Sequence, residues 1–287
     1  MSAGGASGIL AAFVLALFAN MQPLLNIAVR AARRGAEVIV RSLGRLDSLE
    51  VSSKGRNDFV TEIDRAAEAE IITTIRRAYP DHAFLGEESG STGTPGPIEW
   101  IIDPLDGTTN FLHGFPQFCV SIGCRVRGRI DHGVIFDPMR QEVFTASRGD
   151  GAHLENRRIR VSNRRSLDGA LIGTGFPYRA NTEYLDAYMA MLKDVMLATA
   201  GVRRPGSAAL DLAYVAAGRT DGFFEIGLGP WDTAAGTIMI EEAGGRIGTL
   251  AGNEYRQGGN LIAGSPKVFE GLVALLAPHL PKNLAAE

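Results

Sequence analysis

Apolar positions recur at helical spacing near the start of the chain, at Leu24, Ile27, Ala28, Ala31, Ala32 and Val38, with Arg30, Arg33, Arg34 and Glu37 between them. That pattern predicts an amphipathic helix with one face in a core. The polar run Lys54-Gly55-Arg56-Asn57-Asp58 reads as a loop. A second helix is predicted over residues 61–79, where Ile63, Ala67, Ile71 and Ile75 form one stripe and Pro80 ends it. A strand at residues 83–85 leads into Gly86-Glu87-Glu88-Ser89. Residues 89–97, rich in Gly, Ser, Thr and Pro, read as a surface loop before a strand at Trp100-Ile101-Ile102.

Residues 118–146 hold three strand-like runs separated by turn signals at Arg127-Gly128 and Asp137-Pro138-Met139, the pattern of an antiparallel meander. A strand pair over residues 151–161 and a strand over 170–175 follow. Helices are predicted over residues 182–197, 207–217, 231–243 and 266–276, with strands at 222–226 and 261–263 among them. Helices and strands thus arrive in blocks of unequal type rather than in strict alternation. This favours a layered α+β sandwich over a doubly wound sheet.

Composition narrows the function. The chain has 287 residues, 45% hydrophobic and 21% charged, enough for a substantial core without disulfides. A formal net charge of −3 gives no basis for a broad nucleic-acid-binding face, which needs clustered Lys and Arg, so small-molecule chemistry is favoured. Cys119 and Cys124 lie at an odd separation in a strand-like run, which directs them to opposite sheet faces and argues against a bridge. Unbridged thiols fit a reducing cytoplasm. Residues 9–19 form an unbroken apolar run, shorter than the about 20 residues that span a bilayer and without the basic flank of a secretory signal. No membrane association is expected. Residues 1–20 are read as an extension outside the fold, with a single catalytic domain over residues 21–287.

The chemistry concentrates where the strand at Trp100-Ile101-Ile102 runs into Asp103-Pro104-Leu105-Asp106-Gly107-Thr108-Thr109-Asn110. Two aspartates three residues apart across such a turn can point at one centre and suit a hard divalent cation that prefers oxygen ligands. A helical turn beginning at Gly107 and Thr108 would add outward N–H groups and hydroxyls for an anion. Glu87, Glu88 and Asp232 stand where strand or helix ends could bring them to the same place. Taken alone, Asp232 reads as a helix N-terminal carboxylate and the two glutamates as solvated surface charge. Four carboxylates meeting in one pocket would require cations to coexist.

Glu87 in Gly86-Glu87-Glu88-Ser89, the string from Asp103 to Asn110, and Trp231-Asp232 followed by Ala234-Ala235-Gly236 resemble the defining motifs of the inositol monophosphatase family, of the fructose-1,6-bisphosphatase-like superfamily. The similarity runs from Met21 to the end. It is nearest the bacterial branch through Asn57-Asp58-Phe59-Val60-Thr61, residues 203–219 and Asp221-Gly222-Phe223-Phe224-Glu225.

The resemblance implies a layered αβαβα sandwich and a magnesium-dependent phosphomonoesterase with two to three Mg2+ ions. One would be held by Glu87, Asp103 and the Leu105 carbonyl, and a second by Asp103, Asp106 and Asp232. A third would lean on Glu87 and water near the Lys54 loop. Asp64 with Thr108 would orient and deprotonate the attacking water, although Asp64 by its neighbours alone reads as an exposed helix residue. Substrate contacts would come from Asp106, Gly107, Thr108, Gly206, Ser207, Ala208 and Glu225. The resemblance further implies lithium sensitivity, a cytoplasmic homodimer, and hydrolysis of myo-inositol monophosphate or a related polyol phosphate. Fructose-1,6-bisphosphate, 3′-phosphoadenosine phosphate and NADP are the alternatives the superfamily offers. Some bacterial members also join RNA polymerase in transcription antitermination, so a role beside RNA polymerase and its elongation factors stands as a second, non-catalytic expectation.

Overall fold

The computed structural model describes residues 5–48, 51–55, 58–177 and 181–285. In chain order the elements are α1 (Gly5–Ser42), β1 (Val51–Gly55), β2 (Asp58–Thr61), α2 (Glu62–Ala78), β3 (Ala83–Gly86), β4 (Gly90–Gly93), β5 (Ile98–Asp106) and α3 (Thr108–Leu112). The meander follows as β6 (Cys119–Val126), β7 (Arg129–Asp137), β8 (Glu142–Ser147), β9 (Gly151–Leu154) and β10 (Arg157–Ile159). The second half holds β11 (Leu171–Thr174), α4 (Leu185–Ala198), β12 (Gly201–Arg203), α5 (Ala208–Ala216), β13 (Gly222–Leu228), α6 (Pro230–Glu242), β14 (Arg246–Gly248), β15 (Gly259–Gly264) and α7 (Pro266–Leu276).

Apart from the two-stranded β1–β2 hairpin, the strands form two mixed sheets, and with the helices these make five layers. The larger has the order β10-β9-β8-β7-β6-β5-β3-β4, antiparallel except where β3 runs parallel to β5. The smaller has the order β12-β11-β13-β15-β14, with β12, β11 and β13 parallel. Helices α1 and α2 cover the outer face of the first sheet, α5 and α6 lie between the sheets, and α4 and α7 cover the far face of the second. The expected αβαβα sandwich is therefore the observed one.

Strand alternation sorts the side chains between layers. On β5, Trp100 and Ile102 face α1 and α2, whereas Ile101 faces α5 and α6. Cys124 lies in the first cluster and Cys119 in the second, so the two free, buried thiols stand on opposite faces as their spacing predicts. On α1 the buried stripe runs through Leu24, Ile27, Ala28, Ala31, Ala32 and Ala36 to Ile39, and Val38 is only partly buried. A helix shifts 100° per residue, and one position decides which side faces the sheet. Gly35 lets α1 approach α2, since a Cβ there would lie 2.7 Å from Ile71.

Several elements depart from the sequence reading. The backbone of α1 is helical back to Gly5, through Pro23, so residues 5–20 continue the first helix. The loop around Lys54 proves to be a hairpin of β1 and β2; Arg56, Asn57 and the Lys54 side chain lie outside the described residues. Gly90–Gly93, within the expected surface loop, pairs with β3 as an edge strand. Strands β12 and β14, three residues each, carry no periodicity long enough to read. Among the described residues no helix is long and apolar enough to cross a membrane.

Candidate active site

Strand β5 does not end at Ile102 but continues through Asp106, and its irregularity makes the site. Asp103 pairs with Ser121 and Asp106 with Cys119, so three residue steps on β5 oppose two on β6. In a regular strand, positions three apart face opposite sides. The extra residue at Pro104-Leu105 is a bulge, and it turns both aspartates to one side. Pro104, without an N–H, costs the ladder nothing there. Gly107 then reverses the chain at φ 99°, where a Cβ would come within 2.9 Å of the Gln117 carbonyl.

Asp232 arrives from the other sheet at the start of α6. One carboxylate oxygen accepts the Gly229 N–H at 2.6 Å, capping the helix. The capping reading holds, and the ligand reading stays open to it, because carboxylate ligand atoms of Asp103, Asp106 and Asp232 lie within 4.8 Å of one another. Burial pushes the Asp103 carboxyl well above its ordinary range, and Glu87, Asp106 and Asp232 push it further. Asp232 is raised by burial and then by Asp106 and Glu87. Such a group is stable only with protons or cations among the oxygens. Glu87 lies beside Asp103, with its backbone N–H on the Ile102 carbonyl at 3.0 Å, but is not one of the three clustered carboxylates. The Leu105 N–H donates to Asp103 at 2.9 Å, and the Leu105 carbonyl lies 3.1 Å from the Thr108 hydroxyl.

Asp64 is buried, contrary to its exposed appearance in the sequence. It is the N3 residue of a capping box on α2: its Oδ2 accepts the Thr61 N–H at 2.8 Å and the Thr61 hydroxyl. Its other oxygen lies 2.9 Å from the Thr108 hydroxyl. The two residues expected to act as a pair are thus joined. Burial raises the Asp64 carboxyl above its ordinary value, against the lowering effect of these hydrogen bonds.

A pocket of about 80 Å³ opens beside the carboxylates, lined among others by Asp106, Gly206, Ser207, Ala208, Glu225 and Asp232. All the expected substrate residues except Gly107 and Thr108 line it. Ser207, however, donates its hydroxyl to Asp106 at 2.6 Å, and the Ala209 N–H meets the same oxygen at 2.7 Å. Ser207 therefore orients a carboxylate. Asn110 ties the two halves together, its amide donating to the Gln117 and Pro205 carbonyls at 2.6 and 2.9 Å.

Three residues escaped the sequence reading. Asp211, 2% exposed on α5, lines the pocket with an oxygen that has no hydrogen-bond partner, and its carboxyl is driven well above the usual range by burial and then by Glu225. An acidic residue inside the apolar run Ala208–Ala216 was a usable signal. Gly175 leaves room for Glu225, whose carboxylate a Cβ at that position would overlap. Glu68 is buried one turn along α2 from Asp64, beside the backbone of Glu88 and Ser89.

A layered fold holding a buried carboxylate cluster at the edge of a small polar pocket has the organisation of a phosphatase. The comparisons agree with that class. The inositol monophosphatase family matches residues 20–280, and this chain belongs to it. A Pseudomonas aeruginosa protein named Nus factor SuhB is 54% identical over 92% of the chain and 99% of its own length. The structure of extragenic suppressor protein suhB from Bartonella henselae superposes with a TM-score of 0.85 at 45% identity, covering 88% of this chain and 98% of that one. Inositol monophosphatase from Anabaena superposes at 0.79 and 39% identity, over 92% and 99% of the two chains.

Proposed function

We propose that the protein is a magnesium-dependent phosphomonoesterase acting on myo-inositol monophosphate or a related polyol phosphate. The observation that carries this reading is the convergence of Asp103, Asp106 and Asp232 next to the joined pair Asp64 and Thr108. An all-oxygen, multiply anionic donor set fits a hard divalent cation better than a soft one. Glu87, Asp103 and the Leu105 carbonyl would hold one Mg2+, and Asp103, Asp106 and Asp232 a second, with a third leaning on Glu87. Bound magnesium supplies an acidified water and neutralises charge on the phosphoryl and leaving oxygens.

The protein's own groups do the rest. Thr108 and Asp64 orient the attacking water and take its proton, and burial makes Asp64 a stronger acceptor than an exposed aspartate. Water attacks phosphorus, the ester P–O bond breaks, and the leaving alkoxide takes a proton from solvent water to depart as the alcohol. Glu225 faces the pocket where the alcohol portion would sit and suits hydroxyl recognition. Gly107, Thr108, Gly206 and Ala208 complete the substrate contacts of this reading.

The test is a panel of myo-inositol 1-phosphate, fructose-1,6-bisphosphate, 3′-phosphoadenosine phosphate and NADP assayed with magnesium. Highest kcat/KM is expected for the inositol ester, with inhibition by lithium but not by sodium. Preference for a nucleotide would overturn the polyol assignment. Residues 21–287 are assigned to the catalytic domain; removing residues 1–20 is expected to leave activity and melting temperature near their full-length values.

A second reading is favoured by the relatives named Nus factor SuhB. The chain would act in the cytoplasm beside RNA polymerase and elongation factors in antitermination, through protein contacts rather than direct nucleic-acid binding. Leu185, Met189 and Met196 are exposed along α4 and offer an apolar surface for such a partner or for a homodimer. Capture of RNA polymerase by an Asp103→Asn variant as efficiently as by the wild type would separate this role from catalysis.

A further inference from the structure

Glu68 is a buried glutamate with no role in the assignments above. It is 3% exposed, and both of its carboxylate oxygens are engaged by the turn that follows β3. Oε2 accepts the Glu88 N–H at 3.0 Å and Oε1 accepts the Ser89 N–H at 2.9 Å. These two donors directly follow Glu87, whose own N–H is fixed on the Ile102 carbonyl of β5. The Glu87 turn is therefore held from two sides, by a strand and by a helix. Gly86 makes the arrangement feasible, because a Cβ there would overlap the Glu68 carboxylate.

A carboxylate this buried is tolerated only where hydrogen bonds replace its hydration. Glu68 spends both oxygens on the backbone of a metal-ligand turn and stands at i+4 from Asp64 on the same helix. We propose that Glu68 is a positioning residue for Glu87, tying the ligand-bearing turn to the helix that presents Asp64 so that metal ligand and water-orienting carboxylate share one rigid support. The inference rests on the metal-phosphatase reading above, in which Glu68 itself touches neither metal nor substrate.

The decisive measurement is magnesium binding by titration calorimetry on the full chain, which needs no turnover. Glu68→Gln preserves volume but keeps one acceptor and turns an NH2 donor toward a backbone N–H. The tighter magnesium dissociation constant is expected to rise about tenfold, equivalent to roughly 1.4 kcal/mol. In activity assays the magnesium activation curve should shift by the same factor, with kcat recovering and substrate KM unchanged at saturating metal. Gly86→Ala alters no ionisable group, displaces the carboxylate and should weaken magnesium in the same direction. Glu68→Asp, with both oxygens on a shorter stem, should recover part of the loss.

Wild-type magnesium affinity in both Glu68→Gln and Gly86→Ala, at whatever melting temperature, would overturn the proposal. So would a kcat loss that excess magnesium does not repair. If the wild type binds magnesium yet hydrolyses no phosphate ester, the phosphatase reading falls while the calorimetric comparison still decides the role of Glu68. A wild type that binds no magnesium overturns both.

Discussion

The two sides of the site solve the same electrostatic problem differently. On the side built by α2, β3 and β5, the acidic groups Asp64, Glu87 and Asp103 are tied into backbone and hydroxyl hydrogen bonds or stand among the cation-type cluster. On the side built by β13 and α5, Asp211 and Glu225 both line the pocket, and one Asp211 oxygen has no hydrogen-bond partner. The first side meets the cluster of Asp103, Asp106 and Asp232, a donor set that could hold a metal ion. The second holds an acid that burial drives toward its protonated form. Under the proposed function, chemistry common to all substrates would belong to the first side and discrimination among alcohols to the second.

The sharpest way to break that division is Asp103→Asn. Asp103 is 1% exposed at the centre of the cluster, and losing its charge should remove a ligand shared by two cations. Turnover is expected to fall by more than about a thousandfold, roughly 4 kcal/mol in transition-state stabilisation, for every substrate alike. The assay is phosphate release with the folded state checked by circular dichroism. Retention of more than about a tenth of the activity, a loss under about 1.4 kcal/mol, would remove Asp103 from the metal assignment.

On the opposite side the loss should depend on the alcohol. Glu225→Gln is expected to raise KM for the inositol ester about tenfold while leaving p-nitrophenyl phosphate within about twofold, since one hydroxyl contact is worth only a few kcal/mol. Gly175→Ala should follow the same pattern, because the new methyl group must displace the Glu225 carboxylate. An equal loss on both esters would show that Glu225 supports the metal cluster and not the alcohol.

The same contrast explains what could be read from the chain. Part of the first side was legible because it is local: Asp103 and Asp106 flank a Pro-Leu step at the end of a strand, whereas Glu87 and Asp64 were assigned only through the family resemblance. Periodicity also recovered α2, α5 and α7 to within one residue. What it missed depends on tertiary contact. A bulge that aligns two aspartates is visible only against β6, and the burial of Asp64 and Glu68 only against Thr108 and the Glu87 turn. Asp211 and Gly175 acquire meaning when α5, β11 and β13 are packed together. Ser207 was expected as a substrate contact through the family resemblance; its orientation toward Asp106 required the structure.

The smallest expected effect tests the protonated acid on the second side. The Asp211 carboxyl lies well above its ordinary value of 3.8, first through burial, then through Glu225 and Asp106. The folded state consequently holds this proton more tightly than the unfolded chain does. As pH rises above about 3.8, the unfolded chain releases the proton first, and unfolding becomes easier until the raised folded value is passed. Asp211→Asn carries no such proton. Its melting temperature relative to the wild type should therefore climb as pH rises through that window and level off beyond it. Scanning calorimetry of both proteins at matched ionic strength, between pH 4 and about 8, supplies the comparison. Parallel curves would mean that Asp211 ionises in the fold as freely as in the open chain, and the two sides of the site would then manage their acids alike.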